Sequence, residues 1–214
     1  MSIDKQSELL SEVANYYAEK LAKHGETPHG VDWNGEEGQV NRFEQLCKVI
    51  DPRATSFSLN DLGCGYGALL NYLQKKHANF TYYGIDVSQE MICAAEKRFP
   101  NIKGTQFVAS AAPSQIADYG VASGIFNVRL GRTDAEWFAY LQSTLETLSR
   151  TSRFGFAFNC LTSYSDEDKK RGYLYYADPC QLFDLCKRKF SRQVALLHDY
   201  GLYEFTIIVK QDRQ

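Results

Sequence analysis

A chain of 214 residues is long enough for one α/β domain with a sizeable core, and too short for two of ordinary size. Its 24 basic and 26 acidic residues leave a formal charge of −2, which supplies no general footprint for a nucleic-acid backbone, and a composition 44% hydrophobic and 23% charged argues against long disorder. Met1 to Glu12 mixes charges with apolar residues and no later apolar run is long enough to span a bilayer, so a cytoplasmic protein, monomer or homodimer, without membrane or nucleic-acid partners is expected.

In chain order, Leu9, Leu10, Val13, Tyr16, Tyr17 and Leu21 recur at helical spacing and predict a helix over 5–23. A loop of turn residues, 24–34, leads to a second helix over 36–50 that presents Val40, Phe43, Leu46, Cys47 and Ile50. These fifty residues are expected to form a helical extension or lid (1–50), distinct from the domain that follows (51–214). The loop carries His24, His29, Asp32, Trp33 and Asn34 and the helix carries Gln39 and Arg42. That concentration of polar and aromatic groups suits a wall of a substrate site, with Trp33 and Arg42 as the binding candidates. The two histidines lack a defined ligand set, and no metal is expected.

From residue 56 onward, short apolar strands alternate with amphipathic helices: strands at 56–62, 80–85, 105–109, 119–125 and 153–159, helices at 67–76, 88–98 and 134–148. This rhythm predicts a doubly wound α/β sheet covered on both faces. A polar, tyrosine-rich stretch, 160–177, precedes a helix at 179–187. Two last strands, 191–197 and 202–210, are separated only by the turn His198 to Gly201, which forces an antiparallel pair. Pro179-Cys180 reads as a helix start, because proline suits the first helical turn. None of the six cysteines forms a C-x-x-C pair, so reduced thiols are expected.

The first strand runs into Asp61-Leu62-Gly63-Cys64-Gly65-Tyr66-Gly67 and then a helix. Such a turn brings backbone N–H groups and a helix dipole to a ligand with no Cβ in the way. Gly63, Gly65 and Ala68 also satisfy the dinucleotide fingerprint, so a nicotinamide-dependent oxidoreductase stays open on the glycines alone. Asp61 weighs against it, since a carboxylate there would repel a pyrophosphate and suits a ligand carrying an ammonium and a sulfonium. Asp86, at the end of the second strand, is placed to accept from both hydroxyls of a ribose.

The run Asp61 to Gly67, Asp86 and the closing hairpin together resemble the class I S-adenosylmethionine-dependent methyltransferases, over about residues 56 to 210. The resemblance implies a seven-stranded sheet in the order 3-2-1-4-5-7-6 with strand seven antiparallel. It further implies that Gly63, Cys64 and Gly65 approach the methionine part of the cofactor, Asp86 the ribose and Val87 the adenine. Ser110 and Ala111 would lie beside the adenine amine, where an acid is common in the family. Ser123 and Gly124 would face the methionine end. The run Gly124-Ile125-Phe126-Asn127 lacks the Pro-Pro pair of the adenine- and glutamine-amide methyltransferases, which this chain therefore does not resemble.

Ligands of open α/β sheets bind beyond the carboxyl ends of the strands, which nominates Asn159, Tyr164 and Tyr200 for the acceptor. His198 is the candidate general base, because imidazole is the side-chain type best suited to accept a hydroxyl proton at neutral pH, with Glu204 as substitute. The expectation is methyl transfer to a small molecule, at a hydroxyl ahead of an amine; a non-catalytic cofactor-binding protein is the other reading.

Overall fold

The computed structural model describes residues 3–33 and 35–211. Asn34 lies outside them. Seven strands form one sheet in the order β3-β2-β1-β4-β5-β7-β6: β1 (Phe57–Leu62), β2 (Phe80–Asp86), β3 (Thr105–Ala109), β4 (Ala117–Ala122), β5 (Ser152–Leu161), β6 (Gln193–Leu197) and β7 (Glu204–Lys210). The first five are parallel, and β7 runs antiparallel to both β5 and β6, as the short turn before it requires.

Side chains alternate across the sheet, so each strand feeds two cores. Phe156, Phe158, Phe205, Ile207 and Val209 pack on one face with α5 (Asp134–Arg150) and α6 (Pro179–Lys189). Leu59, Tyr119, Val121, Ala157 and Ile208 pack on the other with α3 (Ala68–Lys76). The N-terminal helices are built into these layers. Leu9 and Val13 of α1 (Ile3–His24) join the first core, while Phe43 and Leu46 of α2 (Glu36–Cys47) join the second. The division expected at residue 50 therefore separates no core of its own. The remaining helix, α4 (Gln89–Arg98), flanks β2 and β3, with Ser88 capping it by accepting from the Met91 N–H at 3.3 Å.

Two boundaries differ from the sequence reading by three residues and the others by at most two, and each of these two has a local reason. The second helix stops at Cys47 and tightens into i→i−3 bonds through Ile50, just before Pro52, whose ring disfavours helix in the residue preceding it. The fourth strand ends at Ala122 rather than 125. There Gly124 adopts φ +76° and its N–H turns to the Asn159 side-chain oxygen at 2.7 Å, leaving the ladder. Among the described residues no helix is long and apolar enough to cross a membrane.

Candidate active site

The glycine turn after β1 leaves the sheet by bonding sideways: Gly63 and Cys64 N–H both donate to the Ile85 carbonyl of β2, at 2.7 and 3.1 Å. Gly63 has φ +79°, and a Cβ there would come 2.0 Å from Ile125 Cγ2, so glycine alone lets the turn lie against the loop after β4. From the neighbouring strand end, Asp86 accepts from the Gly65 and Ser88 N–H groups, each at 2.9 Å, which fixes its carboxylate at the rim of the turn. Burial pushes its pKa up while the Ser88, Gly65 and Val87 backbone groups oppose the shift.

These elements enclose a crevice. Gly63, Gly65, Asp86, Val87, Ser110, Ala111, Ser123 and Gly124 all line it, and Leu10, Val13 and Tyr17 of α1 close it from above. Eight of the expected cofactor positions thus converge. The other two, Asp61 and Cys64, line a smaller adjoining cavity of about 40 Å³ that shares Val31, Trp33, Gly63, Gly65 and Ser123 with the crevice. Asp61 is 2% exposed and accepts from the Tyr82 hydroxyl at 2.5 Å, and burial raises its pKa to about 7 against that hydrogen bond. Within β1, strand alternation points Asp61 to the face opposite Leu62.

A second cavity, of about 660 Å³, adjoins the crevice. Tyr17, Val31, Trp33 and Gly124 belong to the walls of both. Trp33, held by the turn after the 3-10 segment Pro28–Val31, lies so close over Gly124 that a Cβ there would meet its ring at 2.6 Å. The Arg42 guanidinium stacks on the Trp33 ring at 3.7 Å and reaches Glu204, with Nε donating to Oε2 at 2.8 Å and Nη2 to Oε1 at 3.0 Å. Asn127 Nδ2 donates to Oε1 at 3.4 Å, and its Oδ1 accepts from the Leu161 N–H at 3.1 Å. Burial raises the Glu204 pKa, and Arg42 and Asn127 pull it back. The far wall comes from the tyrosine-rich loop, stitched to the segment after β4 where Arg129 donates to the Leu174 and Gly172 carbonyls at 3.1 and 3.0 Å.

Of the residues nominated for the acceptor, Trp33 and Arg42 line this cavity, although the Arg42 fork already holds Glu204. Asn159 is fully buried beneath the loop and orders Gly124. Tyr164 is 69% exposed and packs on His198, with ring centroids 6.1 Å apart. Tyr200 turns its hydroxyl to Thr206 Oγ1 at 3.0 Å. None of these three lines either cavity. His198 does not either: it does stand at the ligand edge of the sheet, but on the outermost strand, three strands from β4, roughly 14 Å at ~4.8 Å per strand. The sequence reading overlooked Tyr17, Val31 and Asn127. Tyr17 fits the apolar stripe of α1, and a helical period does not tell a core-facing ring from one over a crevice. For Glu204 the signal was present, an acid opening an otherwise apolar strand.

Comparison with known proteins agrees with this geometry. A family model for a methyltransferase domain matches residues 60–151. A Mycobacterium tuberculosis protein whose name reads "putative methyltransferase" is 60% identical over 167 residues, 78% of this chain and 98% of that protein. Among solved structures, magnesium protoporphyrin IX methyltransferase from Synechocystis PCC 6803 with bound S-adenosylmethionine superposes with TM-score 0.68 at 12% identity, covering 94% of this chain and 96% of that one. The N-methyltransferase NodS from Bradyrhizobium japonicum WM9 in complex with S-adenosylhomocysteine gives TM-score 0.65 at 13% identity, covering 92% and 97%. The solved structures establish the fold. With the near full-length relative and the glycine turn, they place the chain in the class I S-adenosylmethionine-dependent methyltransferases.

Proposed function

We propose that the protein methylates a small polar molecule at a hydroxyl, ahead of an amine, and that Glu204 takes the proton in place of His198. The observation that carries this reading is the shared wall of Tyr17, Val31, Trp33 and Gly124, where the crevice meets a cavity of small-molecule size.

The residues of the crevice fit the cofactor. The Asp86 carboxylate, anchored by two backbone donors, keeps lone pairs for ribose hydroxyls, and the glycines leave space that side chains would fill. The buried Ser123 Oγ and Asn159 Nδ2 lack partners among the described residues, and the serine lines the crevice, so it is available to the methionine end. When bound, S-adenosylmethionine supplies an electrophilic methyl carbon. The protein's own task is then to align an acceptor atom in line with that carbon, exclude water and receive a proton. Tyr17 and Trp33 stand at the junction and would orient the acceptor. With the cofactor bound, the acceptor's O–H proton would pass to a Glu204 oxygen as the acceptor oxygen takes the methyl group and the methyl carbon–sulfur bond breaks, its electron pair remaining on sulfur. Arg42 and Asn127 hold that carboxylate in place, and its desolvation raises its basicity above that of an exposed glutamate.

The test is release of S-adenosylhomocysteine from S-adenosylmethionine over a panel of hydroxylated and amino metabolites. At least one hydroxyl compound should turn over, and Glu204→Gln should lower kcat by roughly 10² to 10⁴ while cofactor affinity stays the same. A wild-type kcat and pH profile in that variant would remove the base. Turnover of amines alone would remove the hydroxyl preference.

A further inference from the structure

We propose that the crevice has a second mouth of its own at the nucleoside end, which serves for exchange of cofactor and product and accepts bulk on the adenine amine. This rests on the cofactor reading given above.

A groove of about 480 Å³ lies between α1 and the loop after β3. Leu10, Val87, Ser110 and Ala111 line both it and the crevice, so the two spaces are continuous. The groove and the acceptor cavity have no lining residue in common. The three spaces therefore run in sequence: groove, crevice, acceptor cavity. The orientation of the cofactor follows from that order. Its methyl carbon must face the wall shared with the acceptor cavity, at Trp33 and Gly124, and Asp86 holds the ribose midway. The adenine then points past Val87 and Ser110 into the groove.

The described residues that line the groove are uncharged. Ser7, Ser11 and Ala14 recur at helical spacing and present one face of α1 to the groove, and Ser7 and Ser11 are exposed. Ser110 is committed to its own loop, its Oγ donating to the Ala112 carbonyl at 2.9 Å and accepting from the Ala112 N–H at 3.3 Å. Among the described residues that line the groove, none is a carboxylate that would claim the adenine amine. The amine can thus carry a substituent that continues into the groove, and the nucleoside can leave without passing Trp33.

Calorimetry and stopped-flow binding on the full chain test this, using S-adenosylhomocysteine and its N6-benzyl analogue as probes. The wild-type protein should bind the two within about threefold of each other. Ser11→Trp, placed on an exposed helix face to fill the groove, should bind the analogue at least tenfold more weakly. It should also slow association and dissociation of the unmodified probe by about the same factor, leaving Kd unchanged. Leu202→Trp, in the acceptor cavity, should do neither. Exclusion of the analogue by the wild-type protein while the unmodified probe binds would overturn the second mouth. So would slowed exchange in Leu202→Trp but not in Ser11→Trp. Failure of the unmodified probe to bind the wild-type protein would overturn the cofactor reading instead.

Discussion

Asp61 and Asp86 flank the same glycine turn, and burial raises the pKa of both against different hydrogen-bond donors. Asp86 is held by two backbone donors at the crevice rim, so Asp86→Ala removes both the proposed contact to a ribose and the support of the turn. A hydrogen bond to a charged group contributes about 1.5 to 3 kcal/mol, and calorimetry with S-adenosylhomocysteine should show affinity weakened at least tenfold. Unchanged affinity would remove the ribose role. Asp61 has one partner, Tyr82, and burial lifts its pKa to about 7, above the roughly 3.9 of an unfolded chain. Between those values the native protein binds a proton at Asp61 that the unfolded chain has released, so the contribution of Asp61 to stability falls as pH rises from about 4 to about 7 and is flat outside that window. Asp61→Asn has no such proton to lose. Denaturant titrations should show the variant gaining on the wild type across this window, and a pH-independent difference would contradict the shift. Both carboxylates were nominated from their place at strand ends. That Asp86 lines the crevice and Asp61 the smaller cavity adjoining it was not legible, because that depends on the turn bonding sideways to Ile85.

At the scale of elements, helix α5 starts on a reciprocal cap. Thr133 Oγ1 accepts from the Glu136 N–H at 3.3 Å, and the Glu136 carboxylate accepts from the Thr133 N–H at 3.1 Å. Thr133→Ala should cost about 1 kcal/mol, read as a lower denaturation midpoint with unchanged slope. Helix α2 is tied to β7 by Arg42 and Glu204, a nearly buried pair with side-chain exposures of 13% and 2%. Arg42→Ala strands the carboxylate, for which a loss of roughly 3 to 5 kcal/mol is expected in thermal or chemical unfolding. A loss below about 1 kcal/mol would mean that water reaches Glu204. The segment between α1 and α2 is the part of the N-terminus suited to move. It turns at Gly25 and Asp32, both with positive φ, and carries Val31 and Trp33 over the crevice. Hydrogen exchange in 25–35 should slow when S-adenosylhomocysteine binds, while the buried middle of α2 should not change. Equal protection with and without ligand would make this segment a fixed wall.

At the scale of the molecule, the helical extension is part of both cores, so removing residues 1–50 should abolish cooperative unfolding. Leu9 and Val13 would be missing from one face and Phe43, Leu46, Val49 and Ile50 from the other. Circular dichroism of the truncated chain would check this, and a sharp melt near the full-length temperature would show that the sheet stands alone. Apolar periodicity and turn chemistry determined the strands, the helices that follow them, the closing hairpin and the glycine turn, because each depends on residues close together in the chain. The polar and aromatic cluster of the loop and second helix nominated Trp33 and Arg42 for the acceptor, and both line the second cavity. Only the tertiary structure decided that Glu204 and not His198 faces the cavity, and that Tyr17 and Asn127 help to line it. These residues are brought together by the 3-2-1-4-5-7-6 order, which places the start of β7 beside β5 and leaves the end of β6 at the sheet's margin. A turn can be read from its own residues, but its distance from the crevice is set by how many strands pack between them.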